Sequence, residues 1–550
     1  MRKRKKWILW TLLLALCLGG CSSGTKVEES KVESGATEGE TDPSQEETDP
    51  AGDFLEENVP KEEPKLLSLM TENKMDSVWE EGGQIVSTNY RKVWLEDREQ
   101  GAVVGAGEFP ELAEALRERN EKEEQAAKTF LEETNIQVQE RMEMDENWQG
   151  EYTQEQDLWV IRADTSVLSI LESEYAYTGG AHGFFAYSGV NLDSKTGQQL
   201  KLNEAVKDTG RLLEILTQRL PEKYPDVEFF GDWKKTIQEE LEKELLTWTV
   251  GYGGMTFYFN PYELAPYAAG VQAITIPYKE EPELFSEKIC QTPRSWATSI
   301  HPFLEYDLGQ NNTSDTIEVG GEMDEYSTYT QFWISVNGAK KTMKDKWFYR
   351  YTPYLIHSED LDGELLMVEE VSDNDFSTIF VYELNEEKSG FGEPWSFPDT
   401  GFYTYFEEWD EDTYIYGKEV FTNPSRFRLD TRINLLGTYS GTKWYSLHPS
   451  EKKNGYLFAE QDWYDVLHFD HFLTLLIPLE MEIPGTGEMW EFPAGTKLWI
   501  VRTDGEYVEF ATEDGRNCRV YVEQNEWPLR IRGVEEKDTT EIFDDMRYAG

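Results

Sequence analysis

The fold is decided by the stretch Tyr-Thr-Gly-Gly-Ala-His-Gly at residues 177–183. Its glycines allow positive φ angles and a close approach of neighbouring backbone, so the stretch is expected to form a tight connection. Strand-like runs lie on both sides of it, at residues 158–177 and 184–192. The sequence therefore predicts two strands joined by a glycine-rich turn that carries His182.

The chain after these strands alternates between turn and helix signals. Residues 193–197 read Asp-Ser-Lys-Thr-Gly, and Asp and Gly are the expected turn formers. A short strand at 199–202 leads into a helix, for which Asn203 is the expected N-cap. Leucines at helical spacing continue this helix, and Pro221 is expected to end it because proline cannot continue the hydrogen-bond ladder. The pattern predicts an α+β unit.

A second helix is predicted from residue 233 onward. Its apolar side chains recur at i, i+4 spacing and form one stripe, which is typical of core packing rather than of a ligand site. These side chains are Trp233, Ile237, Leu241 and Leu245. Strands at 256–259 and 271–278 complete the α+β unit.

A second multi-residue motif lies between those two strands. Residues 257–270 read Phe-Tyr-Phe-Asn-Pro-Tyr-Glu-Leu-Ala-Pro-Tyr-Ala-Ala-Gly. With the 177–183 stretch, this motif resembles the C-terminal extracellular domain of RsiV-type anti-sigma factors over residues 155–280. The preceding segment, 75–155, resembles the domain paired with it in RsiV and in the deacetylase PdaC. The resemblance implies an ectodomain that recognises lysozyme-type muramidases.

The N-terminus has the form of an export signal. Residues 2–6 are a run of positive charges, and the apolar core at residues 7–18 is shorter than the about 20 residues that a spanning helix needs. Leu-Gly-Gly before Cys21 resembles a lipobox, so Cys21 is predicted to be lipidated and to anchor the chain to a membrane. The alternative is ordinary secretion, with Cys21 incidental. RsiV-type proteins begin with a sigma-binding segment and a spanning helix. Here an export signal and a lipobox stand before the linker instead, so we do not expect anti-sigma activity.

The charge of the chain restricts its partners. Residues 21–64 are rich in Asp, Glu and Pro and cannot bury enough apolar surface to fold, so they are predicted to be a disordered linker. The formal net charge of the whole chain is −55. This charge argues against nucleic acid as a partner and favours cationic proteins.

The sequence pattern changes from residue 291 onward. Short alternating runs recur at 331–336, 365–368, 378–382 and 413–416, with turn signals such as Asn337-Gly338 and Asp362-Gly363 between them. They predict a mainly β region, either a sandwich or a propeller-like array. Residues 493–522 resemble a small bacterial SH3-like barrel, which implies peptidoglycan as a second possible ligand.

The predicted fold class is thus an α+β RsiV-like domain followed by a mainly β C-terminal region. The predicted divisions are a signal peptide (1–20), a linker (21–64), a small α+β domain (65–155), the RsiV-like domain (156–290), a β-rich domain (291–490) and an SH3-like segment with the C-terminal tail (491–550).

The sequence gives little support for any catalytic residue. A histidine that acts as a general base needs a reactive neighbour. The sequence around His182 contains no serine or cysteine in a recognisable nucleophile motif. His468 and His471, with Asp465 nearby, have metal-ligand spacing, but this pattern is common by chance. Residues 543–546, Phe-Asp-Asp-Met, only superficially resemble a polysaccharide deacetylase motif. We therefore predict no enzyme activity, cofactor or metal.

Two cysteines remain beyond the N-terminal segment, Cys290 and Cys518. Outside the cytoplasm they could form one disulfide, and two buried thiols are the equal alternative.

The predicted ligand-binding residues come from the two motifs. They combine tyrosines with glycine or proline, and rigid aromatic anchors are favoured at binding surfaces. These residues are Tyr177, Gly179, Gly180, His182, Tyr262, Pro266 and Tyr267. We expect the 177–183 turn and the 261–267 loop to lie side by side as an exposed recognition face; the alternative is a buried corner. The predicted partner is a cationic protein such as a lysozyme-type muramidase, or peptidoglycan.

Overall fold

A computed structural model describes most of the chain as a mainly β protein with a few helices. It describes residues 63–80, 83–96, 107–145, 148, 150–309, 311–373, 376–384, 392–410, 413–466, 471–534 and 536–548. These residues belong to one compact unit. The predicted signal peptide, Cys21 and nearly all of the predicted linker lie outside them.

The first described segment forms a β-hairpin, a long helix and a three-stranded meander. Its elements are β1 (Leu69–Glu80), β2 (Gly83–Leu95), α1 (Pro110–Met144), β3 (Tyr152–Ala163), β4 (Val167–Tyr177) and β5 (Phe184–Asp193). Helix α1 begins at Pro110, where a missing N–H costs nothing. Leu112 and Leu116 of this helix are fully buried in the core that they share with the sheet. The apolar runs at 84–86 and 93–95 both lie in β2, and the hairpin partner of β2 is β1.

The segment that follows is the predicted α+β unit. Its elements are α2 (Leu202–Ala205), α3 (Thr209–Lys223), α4 (Trp233–Glu242), β6 (Thr247–Val250), β7 (Gly254–Phe259), β8 (Gln272–Pro277) and α5 (Glu287–Cys290). Strands β6, β7 and β8 form an antiparallel sheet. Helices α3 and α4 share one core with this sheet, which contains Leu216, Ile237 and Phe257.

Three helix boundaries differ from the predictions. Asn203 lies inside the short α2, and the N-cap of α3 is Asp208, whose side chain accepts a hydrogen bond from Arg211 N. The two helices are separate because Val206 is extended and pairs with Phe285.

Helix α3 runs past Pro221 to Lys223, because a proline this close to the C-terminus disturbs only the last turn. Helix α4 ends at Glu242, before Leu245, since Glu244 has a left-handed φ of 55°. Leu245 is 45% exposed and is not part of the apolar stripe.

The next strands form two antiparallel sheets. They are β9 (Ser295–Ser299), β10 (Phe303–Tyr306), β11 (Asp315–Met323), β12 (Tyr329–Val336), β13 (Ala339–Met343), β14 (Arg350–Ser358), β15 (Leu365–Val371), β16 (Ser377–Glu383) and β17 (Trp395–Pro398). The strand orders are β10-β11-β12-β13 and β17-β16-β15-β14-β9. Both sheets contribute to one core, which includes Ile334 and Leu366, so they are packed on each other. Asn337 and Gly338 both have positive φ and make the predicted tight turn.

The C-terminal third contains the remaining strands. They are β18 (Thr400–Phe402), β19 (Thr404–Asp410), β20 (Thr413–Val420), β21 (Phe427–Asn434), β22 (Thr438–Leu447), β23 (Leu457–Ala459), β24 (Tyr464–Asp465), β25 (Leu473–Leu475), β26 (Leu479–Glu482), β27 (Met489–Phe492), β28 (Lys497–Thr503), β29 (Tyr507–Thr512), β30 (Asn517–Glu523), β31 (Arg530–Ile531) and β32 (Phe543–Asp544), with α6 (Thr539–Ile542) before the last. Strands β28, β29 and β30 are an antiparallel meander in the segment that resembles an SH3-like barrel.

One strand pairing connects distant parts of the chain. Strand β20 pairs with β1, so the N-terminal sheet has the order β19-β20-β1-β2-β3-β4-β5. Near this pairing the buried Arg428 forms ion pairs with Glu419, at 2.7 Å, and Glu96, at 2.9 Å. Segments that the sequence assigns to different domains thus share one sheet and one ion-pair network.

The two cysteines are free thiols. Cys290 packs beside the core of the α+β unit, whereas Cys518 lies inside the core of the C-terminal meander. The disulfide alternative is therefore not realised, because the two side chains belong to separate cores.

Among the described helices, none combines the length and the apolar composition that crossing a membrane requires.

Candidate functional site

The first loop of the candidate site connects β4 to β5. It is the predicted glycine-rich turn, in which Gly179 and Gly180 have φ angles of 90° and 114°. Both glycines are exposed, and the half-buried Tyr177 donates a hydrogen bond from its hydroxyl to the Gly180 carbonyl at 3.3 Å. The glycines are needed here because these φ angles are strained for any residue with a Cβ.

The second loop connects β7 to β8 and is held against β5 by one side chain. The Asn260 Oδ1 accepts a hydrogen bond from Tyr187 N at 2.7 Å, and its Nδ2 donates to Tyr187 O at 3.1 Å. An amide that satisfies both backbone groups of one residue on an edge strand imitates a neighbouring strand. Asn260 therefore fixes the position of the 261–267 loop relative to the β4–β5 hairpin.

The two loops bring three aromatic rings together at the surface. The imidazole of His182 stacks on the ring of Tyr267, with centroids 4.1 Å apart and planes 17° apart. Tyr262 completes the group, with its ring centroid 5.6 Å from Tyr267 and its hydroxyl 3.4 Å from His182 Nε2. We call His182, Tyr262 and Tyr267 the aromatic face.

The aromatic face is open to solvent. His182 and Pro266 are exposed, Tyr262 is 59% exposed, and Tyr267 is partly exposed. The predicted adjacency of the two loops is thus present, and the alternative of a buried corner is wrong. Tyr177, Gly179 and Gly180 lie in the turn that carries His182, and Pro266 directly precedes Tyr267.

A pair of carboxyl groups, those of Glu263 and Glu240, supports the second loop. Glu263 accepts a hydrogen bond from Asn260 N, and it lies next to Glu240 of α4. Burial, the hydrogen bond with Glu263 and the charge of Glu263 together raise the pKa of Glu240 to about 8, and burial is the largest of these causes. Burial also raises the pKa of Glu263, while its hydrogen bonds with Glu240 and Asn260 oppose that rise. At neutral pH, Glu240 therefore holds a proton between the two carboxyl groups.

The sequence analysis did not identify His301, which packs behind the β4–β5 hairpin. His301 stacks on Trp159, with centroids 3.4 Å apart and planes 4° apart, and its Nε2 lies 3.0 Å from the Tyr187 hydroxyl. Burial lowers the pKa of His301 to about 3, so the ring is neutral. It supports the strand to which Asn260 binds. Nothing local marks His301, because its partners are more than a hundred residues away in the chain.

The arrangement does not form a nucleophile–base pair. Among the described residues, the ring nitrogens of His182 contact the Gly183 carbonyl and the Tyr262 hydroxyl, and neither contacts a serine or cysteine. His468 lies outside the described residues, and His471 lies 3.4 Å from a carboxylate oxygen of Asp545. No group of three or more His, Cys, Asp or Glu side chains within the described ranges is arranged to hold a metal ion. The absence of enzyme activity stays a prediction.

Two known families match this chain, and each match covers one loop of the candidate site. A family described as deacetylase PdaC matches residues 106–184, and a family of unknown function, DUF3298, matches residues 196–279. The first match contains the turn with His182, and the second contains the loop with Tyr262 and Tyr267. The aromatic face is therefore built from one loop of each matched segment.

Similar solved structures belong to the DUF3298 family. One, from Bacteroides fragilis, is 16% identical with a TM-score of 0.32; the match covers 42% of this chain and 98% of that chain. Another, from Pseudomonas aeruginosa, is 17% identical with a TM-score of 0.25; it covers 41% of this chain and 95% of that chain. No curated protein matches the sequence.

Proposed function

We propose that this protein is a surface lipoprotein, anchored through Cys21, that captures a cationic protein ligand on its aromatic face. The observation that carries the proposal is the stack of the exposed His182 on the partly exposed Tyr267. Exposed aromatic rings on loops that a rigid scaffold holds in place are typical of binding hot spots. The ring of Tyr262 enlarges this surface at a low cost in side-chain entropy, because a tyrosine has only two χ angles.

Charge supports a cationic partner. The net charge of −55 attracts cationic proteins over long distances and raises their association rate. Lysozyme-type muramidases fit this requirement, and they are the ligands that the resemblance to RsiV-type ectodomains implies. Capture or inhibition of such an enzyme needs no catalytic residue on this chain, which agrees with the contacts of His182.

Calorimetry tests the proposal. The chain from residue 22 onward is titrated with a cationic lysozyme at moderate ionic strength. We expect saturable binding with one ligand per chain. The affinity should weaken only partly as salt rises, because aromatic contacts are not screened. Absence of heat at micromolar concentrations contradicts the proposal, and binding that salt abolishes completely indicates non-specific attraction instead.

A second candidate function is cell-wall binding through the C-terminal β region. The observation that favours it is the exposure of Met489 and Trp490, at 56% and 44%, on β27 at the end of its sheet. Exposed aromatic side chains next to a small β meander are suited to stacking on sugar rings. Co-sedimentation of the chain with purified sacculi tests this function, with Trp490→Ala expected to reduce retention. Equal retention of the variant and the unmodified chain would exclude β27 as the binding element.

A further inference from the structure

The second loop of the candidate site is ordered by the side chain of Glu263. This carboxylate accepts a hydrogen bond from Asn260 N, and Glu263 N donates in turn to Asn260 O at 3.0 Å. Asn260 is the residue whose side chain binds both backbone groups of Tyr187 on β5. Glu263 therefore closes the same turn that Asn260 attaches to the β4–β5 hairpin.

Tyr262 of the aromatic face lies inside this turn in a strained conformation. Its φ is 71°, a left-handed value that a bulky side chain adopts only where the surroundings enforce it. Its N–H donates to Ala265 O at 3.0 Å, and the neighbouring Leu264 O accepts from Phe230 N at 2.8 Å. The place of the Tyr262 ring thus depends on the bonds that close the turn.

Glu240 meets Glu263 from a helix that the core holds in place. Ile237, three residues before Glu240 on α4, is fully buried. The Glu240 carboxyl group makes a hydrogen bond with Glu263, and its Oε2 is buried without accepting a hydrogen bond from the described residues. An ionised oxygen is costly to bury without a donor, whereas a protonated carboxyl group donates to the carboxylate beside it. The geometry is that of a carboxyl–carboxylate hydrogen bond with Glu240 as the donor.

Two charged groups act on Glu240 within the described part of the chain. Glu263 faces it from the second loop, and Lys243 faces it from α4 itself. Lys243 also pairs with Glu239 at 3.1 Å, and Glu239 pairs with Lys235 at 2.7 Å, so the charge of Lys243 is shared. Loss of the proton therefore leaves two carboxylates side by side in a half-buried site, where they repel each other.

We propose that Glu240 is a positioning residue of the aromatic face, and that the proton it shares with Glu263 makes ligand capture depend on pH. With the proton present, Glu240 holds Glu263 and thereby the turn at 260–265. When the proton leaves, the repulsion displaces the loop, because α4 is fixed in the core and the loop lies at the surface. The tyrosines then move away from His182. The inference rests on the proposed function for its ligand, but the movement of the loop is observable without one.

Calorimetry at pH 7 and pH 9 measures the dependence, with the chain from residue 22 onward titrated with a cationic lysozyme. The pKa of Glu240 is about 8, so about one chain in ten keeps the proton at pH 9, and the affinity should fall about fivefold to tenfold. Glu240→Gln keeps a donor toward Glu263 that cannot ionise, and it should remove this fall. The matched control is Glu242→Gln, an exposed change in the same helix that should behave as the unmodified chain. The titratable groups of the aromatic face and of the lysozyme contribute equally in all three proteins.

Histidine NMR follows the loop without a ligand. The chain contains six histidines, so labelling the imidazole Cε1 with ¹³C gives a simple spectrum, in which His182→Gln assigns the His182 signal. Stacking on Tyr267 places the imidazole in the ring current of the phenol. Between pH 7 and pH 9 we expect the signal to move toward that of an unstacked histidine in the unmodified chain and in Glu242→Gln. Glu240→Gln should lack this movement, and ionisation of His182 itself contributes equally in the three proteins.

An affinity that stays constant from pH 7 to pH 9, or that falls equally in Glu240→Gln, overturns the inference. So does a His182 signal with the same pH dependence in that variant and in the unmodified chain. Absence of lysozyme binding at every pH contradicts the proposed function instead, and the His182 signal then decides the inference alone. If Glu240→Gln does not fold, Glu263→Gln replaces it, since it also leaves a single carboxyl group and keeps an acceptor for Asn260 N. A full pH dependence in Glu263→Gln overturns the inference in the same way.

Discussion

The imidazole of His182 stacks on the phenol ring of Tyr267 across two loops that are 85 residues apart in the chain, with ring centroids 4.1 Å apart. The stack exists because Asn260 holds the second loop against β5. His182 is exposed and Tyr267 is partly exposed, so this contact lies at the surface of the described part of the chain.

Replacing Tyr267 with alanine tests the aromatic face. We expect the affinity for a cationic lysozyme to fall by roughly 2 kcal/mol or more, as at a hot-spot residue, because both the ring and its stacking partner are lost. Calorimetry measures the affinity, and thermal unfolding checks that the fold is intact. Tyr326→Ala is the control, since Tyr326 is a 77% exposed tyrosine outside the aromatic face. Equal losses in both variants would contradict a specific role for Tyr267.

Asn260→Ala separates positioning of the loop from ligand contact. The substitution leaves the N–H and carbonyl of Tyr187 without their partner, and an unsatisfied buried pair costs about 1–3 kcal/mol. Urea unfolding should show this loss, and hydrogen exchange at the Tyr187 amide should accelerate. Asn454→Ala serves as the control, because Asn454 is exposed and, among the described residues, its side chain bonds only to Glu451. An unchanged exchange rate at Tyr187 would show that the clamp is not needed.

The Glu240–Glu263 pair predicts a pH dependence of stability. The pKa of Glu240 is raised in the folded state, so between about pH 4.5 and pH 8 the folded chain binds more protons than the unfolded chain. The contribution to stability is therefore fully present below the unfolded pKa and is lost as the pH rises toward 8. Glu240→Gln should flatten this decline and stabilise the chain at pH 8 by about 1 kcal/mol or more.

Denaturant unfolding at several pH values measures this effect. Glu242→Gln, an exposed change in the same helix, should leave the profile unchanged. A decline that persists in Glu240→Gln would place the responsible group elsewhere.

Arg428→Met tests the link between the N-terminal sheet and the C-terminal third. It removes the cation that Glu419 and Glu96 share and leaves two carboxylates close together in a largely buried site. Breaking such a network costs about 3 kcal/mol. Equilibrium unfolding in urea gives the value. Arg547→Met is the comparison, since the exposed ion pair of Arg547 with Asp545 is worth less than about 1 kcal/mol. A similar cost in both variants would mean that the buried network adds nothing.

Local signals predicted the elements of the candidate site well. The glycines at 179 and 180 predicted the turn. Elsewhere, the alternation at 331–336 and the short apolar run at 365–368 predicted strands that the structure contains. The aromatic motif at 257–270 predicted the loop with Tyr262 and Tyr267. In each case the deciding signal comes from residues close in sequence: a φ preference, an alternation of polar and apolar side chains, or a short apolar run.

Helix ends were predicted less well, because tertiary contacts decided them. The segment after Asn203 leaves the helix at Val206 to pair with Phe285, and no residue near Asn203 encodes that partner. The apolar spacing of Leu245 continues the stripe of α4, but the chain turns at Glu244 and carries Leu245 into solvent.

The sequence by itself determined the strands on both sides of the two motifs, the glycine-rich turn and the residue types of the aromatic face. Only the tertiary structure decided that β20 pairs with β1, that His301 lies behind Tyr187, and that Trp296 stacks on Tyr252. The physical reason is that periodicity and φ preferences act between neighbours in the chain. A contact between distant segments depends on how all the sheets pack together, and no local pattern records that packing.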